Sequence, residues 1–404
     1  MPTSLFILGR EPELSVAELE AAATRWPGTV SVINPEVAFI DHQQLLPSGT
    51  LDRLGGSTKL ATVLDRWPLS GDVVATVEQH LTPAWMIPFF SSERIEFGVS
   101  GYGLSNRERG LLQKIALHVK KDIHAAGRPV RFVTSKEPQL SAVTVRRNGL
   151  LNRGHEFILV PTDHDIIVAR TDAVQDYQAY GLRDFGRPAA NAKSGMLPPK
   201  VAQMMLNIAG VQADDILLDP FCGTGTVLQE AALLGVHELH GSDAEQRAVK
   251  DSQENIRWLV KEFSGLHLTV DILLRDAREI SLMPSVIVTE PYLGKPLRGH
   301  EPPTWLAQQA HDLEKLYLQC FQHWRKHLQP GAQVVMIWPE FVSPAGPIAL
   351  KLDQVVEGLG FQRDPLLSSH NAALLKHDDV LVVTYGRDDA RVRRQIRRWT
   401  FRGE

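Results

Sequence analysis

Apolar positions change rhythm near residue 200. Over residues 1–90, short apolar runs are broken by turn signals at Pro27-Gly28, Pro47-Ser48-Gly49 and Gly55-Gly56. Ser15-Val16-Ala17-Glu18 reads as a capping box that opens a helix running to about Arg25. Ile95–Tyr102 alternates as a strand does. From Ser105 to Ala126, Leu111, Leu112, Ile115, Ala116, Val119 and Ile123 fall on one helical stripe. Val130–Thr134, Ser141–Val145, Phe157–Val160 and Ile166–Ala169 read as strands, so this part is a small α+β domain. Residues 171–200 carry Gly181, Gly186, Pro188, Gly195, Pro198 and Pro199 and read as a linker.

Beyond 200 the pattern alternates strand and helix. Strands are expected at Ile216–Asp219, Glu238–Asp243, His267–Ile272, Val286–Thr289, Gln333–Trp338 and Val380–Tyr385, with helices such as Ala244–Phe263 and Trp305–Leu328 between them. That alternation predicts an α/β fold with a doubly wound parallel sheet. Phe361–Leu367 and Val380–Tyr385 lie too close for a long helix between them and suggest a closing antiparallel pair.

Composition narrows the class. The 404 residues are 43% hydrophobic and 22% charged, ordinary for a globular chain of a few domains. The 2 cysteines are too few for a disulfide framework or a Cys₄ zinc site, and the 15 histidines show no metal spacing, so no metal is expected. Met1–Arg10 lacks the basic start of a signal peptide, and no 18-residue apolar run marks a membrane span. A cytoplasmic protein, without a membrane partner, is expected.

The net charge of −4 argues against nucleic acid only until it is located. Residues 1–100 sum to −6, 101–153 to +8, 154–200 to −1, 201–386 to −9 and 387–404 to +4. Basic islands in an acidic chain suit phosphate backbones. The candidate RNA contacts are Arg107, Arg109, Lys114, Lys120, Lys121, Arg146 and Arg147 in the first island. In the second they are Arg394 and Arg398, interleaved with Trp399 and Phe401. Val392, Ile396 and Trp399 also fit an amphipathic end helix.

The most informative stretch runs from Leu217 to Val227. An apolar strand ends at Asp219, Pro220-Phe221-Cys222 follows, and Gly223-Thr224-Gly225 turns into a helix. Ligands of open α/β sheets sit at the carboxyl ends of strands. A dinucleotide fingerprint needs glycine where Leu228 stands, and a P-loop needs Gly-Lys-Ser/Thr, so both phosphate readings weaken. Asp219 suits a cationic ligand. Asp243 ends the next strand in position for a ribose diol, and Asp276 follows the third near an adenine amino group. Three acids after three strands describe S-adenosylmethionine. Cys222 reads as a small packing residue.

Val286–Thr289 then runs into Glu290-Pro291-Tyr292, a polar–proline–aromatic turn at another carboxyl end. These residues resemble amino methyltransferases, whose motif here is Asp/Asn/Ser-Pro-Pro-Tyr/Phe. The glycine loop, the opening Phe6–Leu14, the run Tyr180–Pro188 and the run Ala192–Pro199 resemble THUMP-domain tRNA guanine-N2 methyltransferases. Members acting on guanosine 10 are nearest. The resemblance implies a ferredoxin-like domain over 1–92, a THUMP RNA-binding domain over 93–173, a linker over 174–199 and a Rossmann-like methyltransferase domain over 200–404, with an antiparallel last strand. It implies tRNA as partner and S-adenosylmethionine as cofactor, and it adds Ser194, Met196 and Pro198 as cofactor contacts; a monomer is expected. A small activating subunit is neither implied nor excluded.

One departure stands out. Thr289 occupies the acid or amide position, and Glu290 replaces the first proline; Pro291 and Tyr292 match. Thr289 through its hydroxyl, with the Glu290 backbone carbonyl as a second acceptor, or alternatively Glu290 through its carboxylate, is the candidate acceptor for the target amine. Methylation of rRNA or DNA amines, and an RNA-binding protein with a decayed site, stay open at this point.

Overall fold

A computed structural model describes residues 3–26, 28–42, 46–137, 139–190, 196–387 and 389–403. The chain divides into two compact units. The first holds residues 1–12, 23–52 and 57–177, and the second holds 13–22, 53–56 and 178–404.

The strands of the first unit are β1 (Thr3–Leu8), β2 (Gly28–Asn34), β3 (Val37–His42), β4 (Ser57–Pro68), β5 (Ile95–Gly101), β6 (Val130–Phe132), β7 (His155–Pro161) and β8 (Asp165–Val174). Among the described residues they form one sheet in the order β2-β3-β1-β4-β8-β7-β5-β6. Strands from 1–92 and from 93–173 therefore share one sheet, through the long β4–β8 pairing. Helix Asn106–Ala125 buries Leu112, Ile115, Ala116, Val119 and Ile123, the stripe read from the sequence. Its start is a true capping box, Ser105 with Glu108. Ser141–Val145 is not a strand: Ser141 accepts from the Thr144 N–H at 3.1 Å and caps the helix Ala142–Arg147. A short apolar run cannot distinguish the two states, and here the cap decides.

In the second unit, β9 (Ile216–Asp219), β10 (Glu238–Asp243), β11 (Thr269–Leu274), β12 (Val286–Thr289) and β13 (Gln333–Ser343) are parallel in the order β11-β10-β9-β12-β13. β14 (Gly346–Ala349) pairs with β13. β15 (Phe361–Arg363) and β16 (Val382–Tyr385) do not pair with each other. Both run antiparallel to β17 (Val392–Phe401), which lies antiparallel to β13. The C-terminal end is thus a central strand and not an end helix. The spacing of Val392, Ile396 and Trp399 fits a helix, but a strand covered on both faces loses its period of two.

Helix Pro303–Trp324 buries Leu306, Ala310, Leu313, Tyr317, Phe321 and Trp324 at three- and four-residue steps against Trp338, Phe361 and Trp399. Each such side chain contributes about 1.5–3 kcal/mol by leaving water.

Two further expectations change. The helix expected to open at Ser15 begins at Pro12, so Ser15 and Glu18 lie inside it and are buried. The Glu18 carboxylate accepts from the Gly55 and Gly56 N–H groups at 2.8 Å and from Asn207 at 2.7 Å, and burial pushes it up to about 7. Part of the expected linker is also ordered secondary structure. Tyr177–Gly181 is helical, and Arg183 is buried in an ion pair with Glu230 at 2.7 Å. Glycine and proline there shape an anchored segment; breaking such a buried pair costs about 3–5 kcal/mol.

Candidate active site

The cleft is built at the carboxyl ends of the parallel strands, lined by the residues that follow β9, β10 and β12. It encloses about 630 Å³, lined among others by Asp219, Phe221, Gly223, Asp243, Asp276 and Glu290.

The glycine loop is shaped by its own backbone bonds. The Cys222 N–H donates to Ser242 O at 2.9 Å and Gly225 N–H to Cys222 O at 2.7 Å. Gly223 (φ +51°) and Gly225 (φ +79°) take left-handed conformations that favour glycine. Their reasons differ. A Cβ on Gly223 would meet nothing, which leaves the cleft open against bare backbone, whereas one on Gly225 would strike Ser252. Gly225 is thus a packing glycine and does not line the cleft.

The segment before the loop is tied to it. Arg187 donates to Thr226 Oγ1 at 2.8 Å and to Met196 Sδ at 3.2 Å, and Asn255 bridges Ala189 and Thr224 O. Met196 lines the cleft; Pro198 precedes helix Pro199–Ala209 and does not; Ser194 lies outside the described residues.

Carboxylates dominate the wall. Asp243 accepts from the Gly223 N–H at 3.0 Å and the Glu245 N–H at 2.9 Å. Asp219 is buried and pushed up to about 7, by desolvation first and then by Asp243 and Glu290; bonds from Thr289 and the Phe221 N–H oppose the rise. Asp276 is held below the usual carboxylate range by Arg278, at 2.6 Å. Glu290 is raised by burial, against the opposing pull of Arg394 at 2.5 Å.

The motif turn separates its two candidate acceptors. Thr289 is fully buried and its hydroxyl donates to Asp219, so it is not an acceptor facing the cleft. Glu290, Pro291 and Tyr292 do line it. Tyr292 is 52% exposed, and its carbonyl is fixed by the buried Tyr317 hydroxyl at 2.8 Å. The sequence reading missed Glu245, Arg247, Asp251 and Leu316, which also line the cleft. Glu245, two residues after Asp243, was the only one with a signal: it sits at the same strand end.

The basic candidates divide. On helix Asn106–Ala125, Arg107, Lys114 and Lys121 are exposed and Lys120 is half-buried. Arg109 instead pairs with Glu36 at 2.8 Å, and Arg146 with Asp176 at 3.1 Å; Arg147 is exposed. Arg394 is committed to Glu290, and Arg398 donates to Ile208 O at 3.2 Å beside Asp364 at 3.6 Å. Those two arginines of the tail are thus pieces of the sheet, because the strand that carries them is interior.

A doubly wound sheet with this strand order, with a carboxylate-lined cleft at its strand ends, is a Rossmann-like α/β domain. Residues 187–348 match the family described as UPF0020: RMKL-like, methyltransferase domain. The chain is 32% identical over 152 residues to the tRNA (guanine(10)-N2)-dimethyltransferase of Methanothermobacter thermautotrophicus, covering 37% of this chain and 40% of that one. It is 37% identical over 86 residues to the protein of that name from Methanocaldococcus jannaschii, covering 21% and 23%. It therefore spans well under half the length of either relative. The fold is that of TrmN from Thermus thermophilus, at TM-score 0.56 and 15% identity over 99% of this chain and 100% of that one. It is also that of a Listeria monocytogenes protein described as a predicted N6-adenine-specific DNA methylase, at TM-score 0.52 and 12% identity over 100% and 97%. The resemblance read from the motifs, to tRNA guanine-N2 methyltransferases, is matched by these relatives.

The residues present fit S-adenosylmethionine. Gly223 leaves bare backbone at the wall, and Asp219 and Asp243 have no arginine or lysine paired with them in the bonds described above. Such a wall repels a pyrophosphate and attracts a cation.

Proposed function

We propose that the protein methylates the exocyclic N2 of a guanine in tRNA, the guanosine at position 10 being the foremost candidate, and that it does so as a cytoplasmic monomer. The observation that carries the reading is the joining, in one cleft, of a cation-attracting wall (Asp219, Asp243) with an exposed aromatic and a carboxylate (Tyr292, Glu290). The names of the matched relatives supply the substrate.

S-adenosylmethionine, when bound, supplies an electrophilic methyl group on a sulfonium. Gly223, Asp243 and Asp276 would hold its nucleoside part, and Asp219, Phe221 and Met196 its amino acid part. The chain's task is alignment, worth about 7–11 kcal/mol of the barrier. A paired guanine must leave its stack, at a cost of a few kcal/mol. Tyr292 offsets about 1–3 kcal/mol by stacking on it. Glu290 accepts from the amine and takes its proton; Thr289 keeps Asp219 in place from below.

The remaining cost falls to RNA contacts. We assign these to the first unit, with the ferredoxin-like part in residues 1–92 and the THUMP part in 93–173. Its exposed helix face of Arg107, Lys114 and Lys121 suits phosphates.

The test is methyl transfer to bulk tRNA, rRNA and duplex DNA, followed by mass spectrometry of the nucleosides. N2-methylguanosine or its dimethyl form in tRNA alone is expected. Transfer to DNA or rRNA instead, or no heat of binding with S-adenosylmethionine in calorimetry, overturns the reading.

A further inference from the structure

Arg394 is the side chain whose place the charge pattern along the chain least suggests. It stands on β17, opposite Pro339 of β13 and Tyr385 of β16, and its Nε lies 2.5 Å from Glu290 Oε1. Its guanidinium also lies 5.9 Å from the Tyr385 ring centroid. A residue more than one hundred positions downstream thus reaches the turn that carries Pro291 and Tyr292.

The electrostatics give that contact a task. Glu290 sits in a wall of like charge with Asp219 and Asp243. Among the described residues, Tyr317, Asp219 and Arg394 are titratable or charged groups set against it; Tyr292 shares the cleft wall, and Tyr385 stands behind Arg394. Burial favours its protonated form, and a protonated carboxyl takes no further proton. Arg394 opposes that effect.

Resting on the methylation reading above, we propose that Arg394 is a positioning residue that fixes the Glu290 carboxylate at the cleft wall and keeps it ionised, so that Glu290 accepts the proton released by the target amine. In the balanced step the amine nitrogen bonds to the methyl carbon and the carbon–sulfur bond breaks, its electron pair staying on sulfur. The proton on the new ammonium passes to Glu290, whose acid form returns it to solvent. Arg394 keeps its own protons throughout. The directions agree: burial raises Glu290 against Arg394, and the ion pair raises Arg394 against its own burial.

The test uses the full chain with R394Q, R394K and E290Q. In the cofactor-free protein, the carboxyl-¹³C signal of Glu290, assigned by its loss in E290Q, titrates higher in R394Q than in wild type, by about 1–3 pH units. In turnover, the acid limb of kcat moves up by the same shift, and kcat at neutral pH falls about 10–100-fold, within the range of a lost proton acceptor. The tRNA Kd stays within about threefold, since a phosphate contact is not what was removed. R394K keeps a charge without the fork and recovers part of the shift, and it carries the test should R394Q not fold. An unmoved Glu290 signal overturns the proposal, as does a tRNA Kd weakened more than about tenfold with an unmoved limb, which makes Arg394 an RNA contact. If the wild type transfers no methyl group, the methylation reading fails by itself, and the titration still reports on Arg394.

Discussion

The Thr289 hydroxyl donates to Asp219 Oδ1 at 2.6 Å, joining the ends of two neighbouring parallel strands beneath the cleft. β12 runs beside β9 with Ile287 opposite Leu218, so Thr289 is delivered to the carboxylate by the sheet register itself. The position at which related motifs carry an acid or amide is occupied here by a residue serving the cofactor wall. On the proposed reading, the carboxylate for the amine lies one place on, at Glu290. A hydrogen bond to a charged group is worth about 1.5–3 kcal/mol. Thr289→Val keeps the shape and removes the donor. S-adenosylmethionine affinity, measured by calorimetry, is expected to fall about 10–100-fold, with Thr289→Ser near wild type. Unchanged affinity in Thr289→Val removes this hydrogen bond from the account.

Asp219 is expected to make binding of S-adenosylmethionine pH-dependent. Burial and its acidic neighbours push it up to about 7 in the free protein. A cation arriving nearby favours the ionised form, so binding releases a proton below that value. Affinity for S-adenosylmethionine therefore rises with pH up to about 7 and levels off above it; the loss is at most about tenfold per unit on the acid side. Calorimetry at pH 6, 7 and 8 in buffers of different ionisation enthalpy reads both slope and proton count. Asp219→Asn flattens the profile. A profile that falls with rising pH contradicts the assignment.

The strand ends of this site were legible in the sequence, because β9 and β12 are short apolar runs stopped by an acid or a polar residue and β10 ends in Asp243. Asp219, Asp243, Asp276, Glu290 and Tyr292 all line the cleft as their positions suggested. What was not legible depended on partners far along the chain. The ring of Tyr292 says nothing of Tyr317, nor Glu290 of Arg394. Charge was the weakest guide. The arginines of residues 391–402 look like a tail for RNA, yet Arg394, Arg397 and Arg398 serve Glu290, Asp353 and Asp364 within a sheet. The same holds for Ser15 and Glu18, whose spacing imitates a capping box but which lie buried inside a helix that starts at Pro12.

On the proposed reading, Tyr292 is the residue that stacks on the extruded base. It is 52% exposed while its backbone is held by Tyr317, so its ring is free to meet a ligand without disturbing the turn. Loss of stacking costs about 1–3 kcal/mol. Tyr292→Ala is expected to lower kcat/KM about 5–150-fold, with tRNA affinity within a few fold and Tyr292→Phe close to wild type. Full turnover in the alanine variant takes Tyr292 out of the site.

RNA affinity separates the two basic islands. Arg107, Lys114 and Lys121 are exposed on one helix of the first unit, whereas Arg398 is spent on Ile208 O and Asp364. Each phosphate contact releases counterions and steepens the dependence of binding on salt by about 0.7–0.9. Reversing all three helix charges to Glu is therefore expected to weaken tRNA binding and to flatten the log Kd against log salt slope by roughly 2–3. Exposed substitutions of this kind leave the melting temperature nearly unchanged. Arg398→Ala should behave in the opposite sense: its removal uncovers a carbonyl and a carboxylate at the sheet, so the melting temperature falls while the salt slope stays as in wild type. Filter binding from 50 to 300 mM salt (a range of about sixfold, wide enough to resolve one contact), set beside thermal melts, reads both effects. A triple variant with wild-type slope, or an Arg398 variant with a flattened one, would return the RNA footprint to the C-terminal strand.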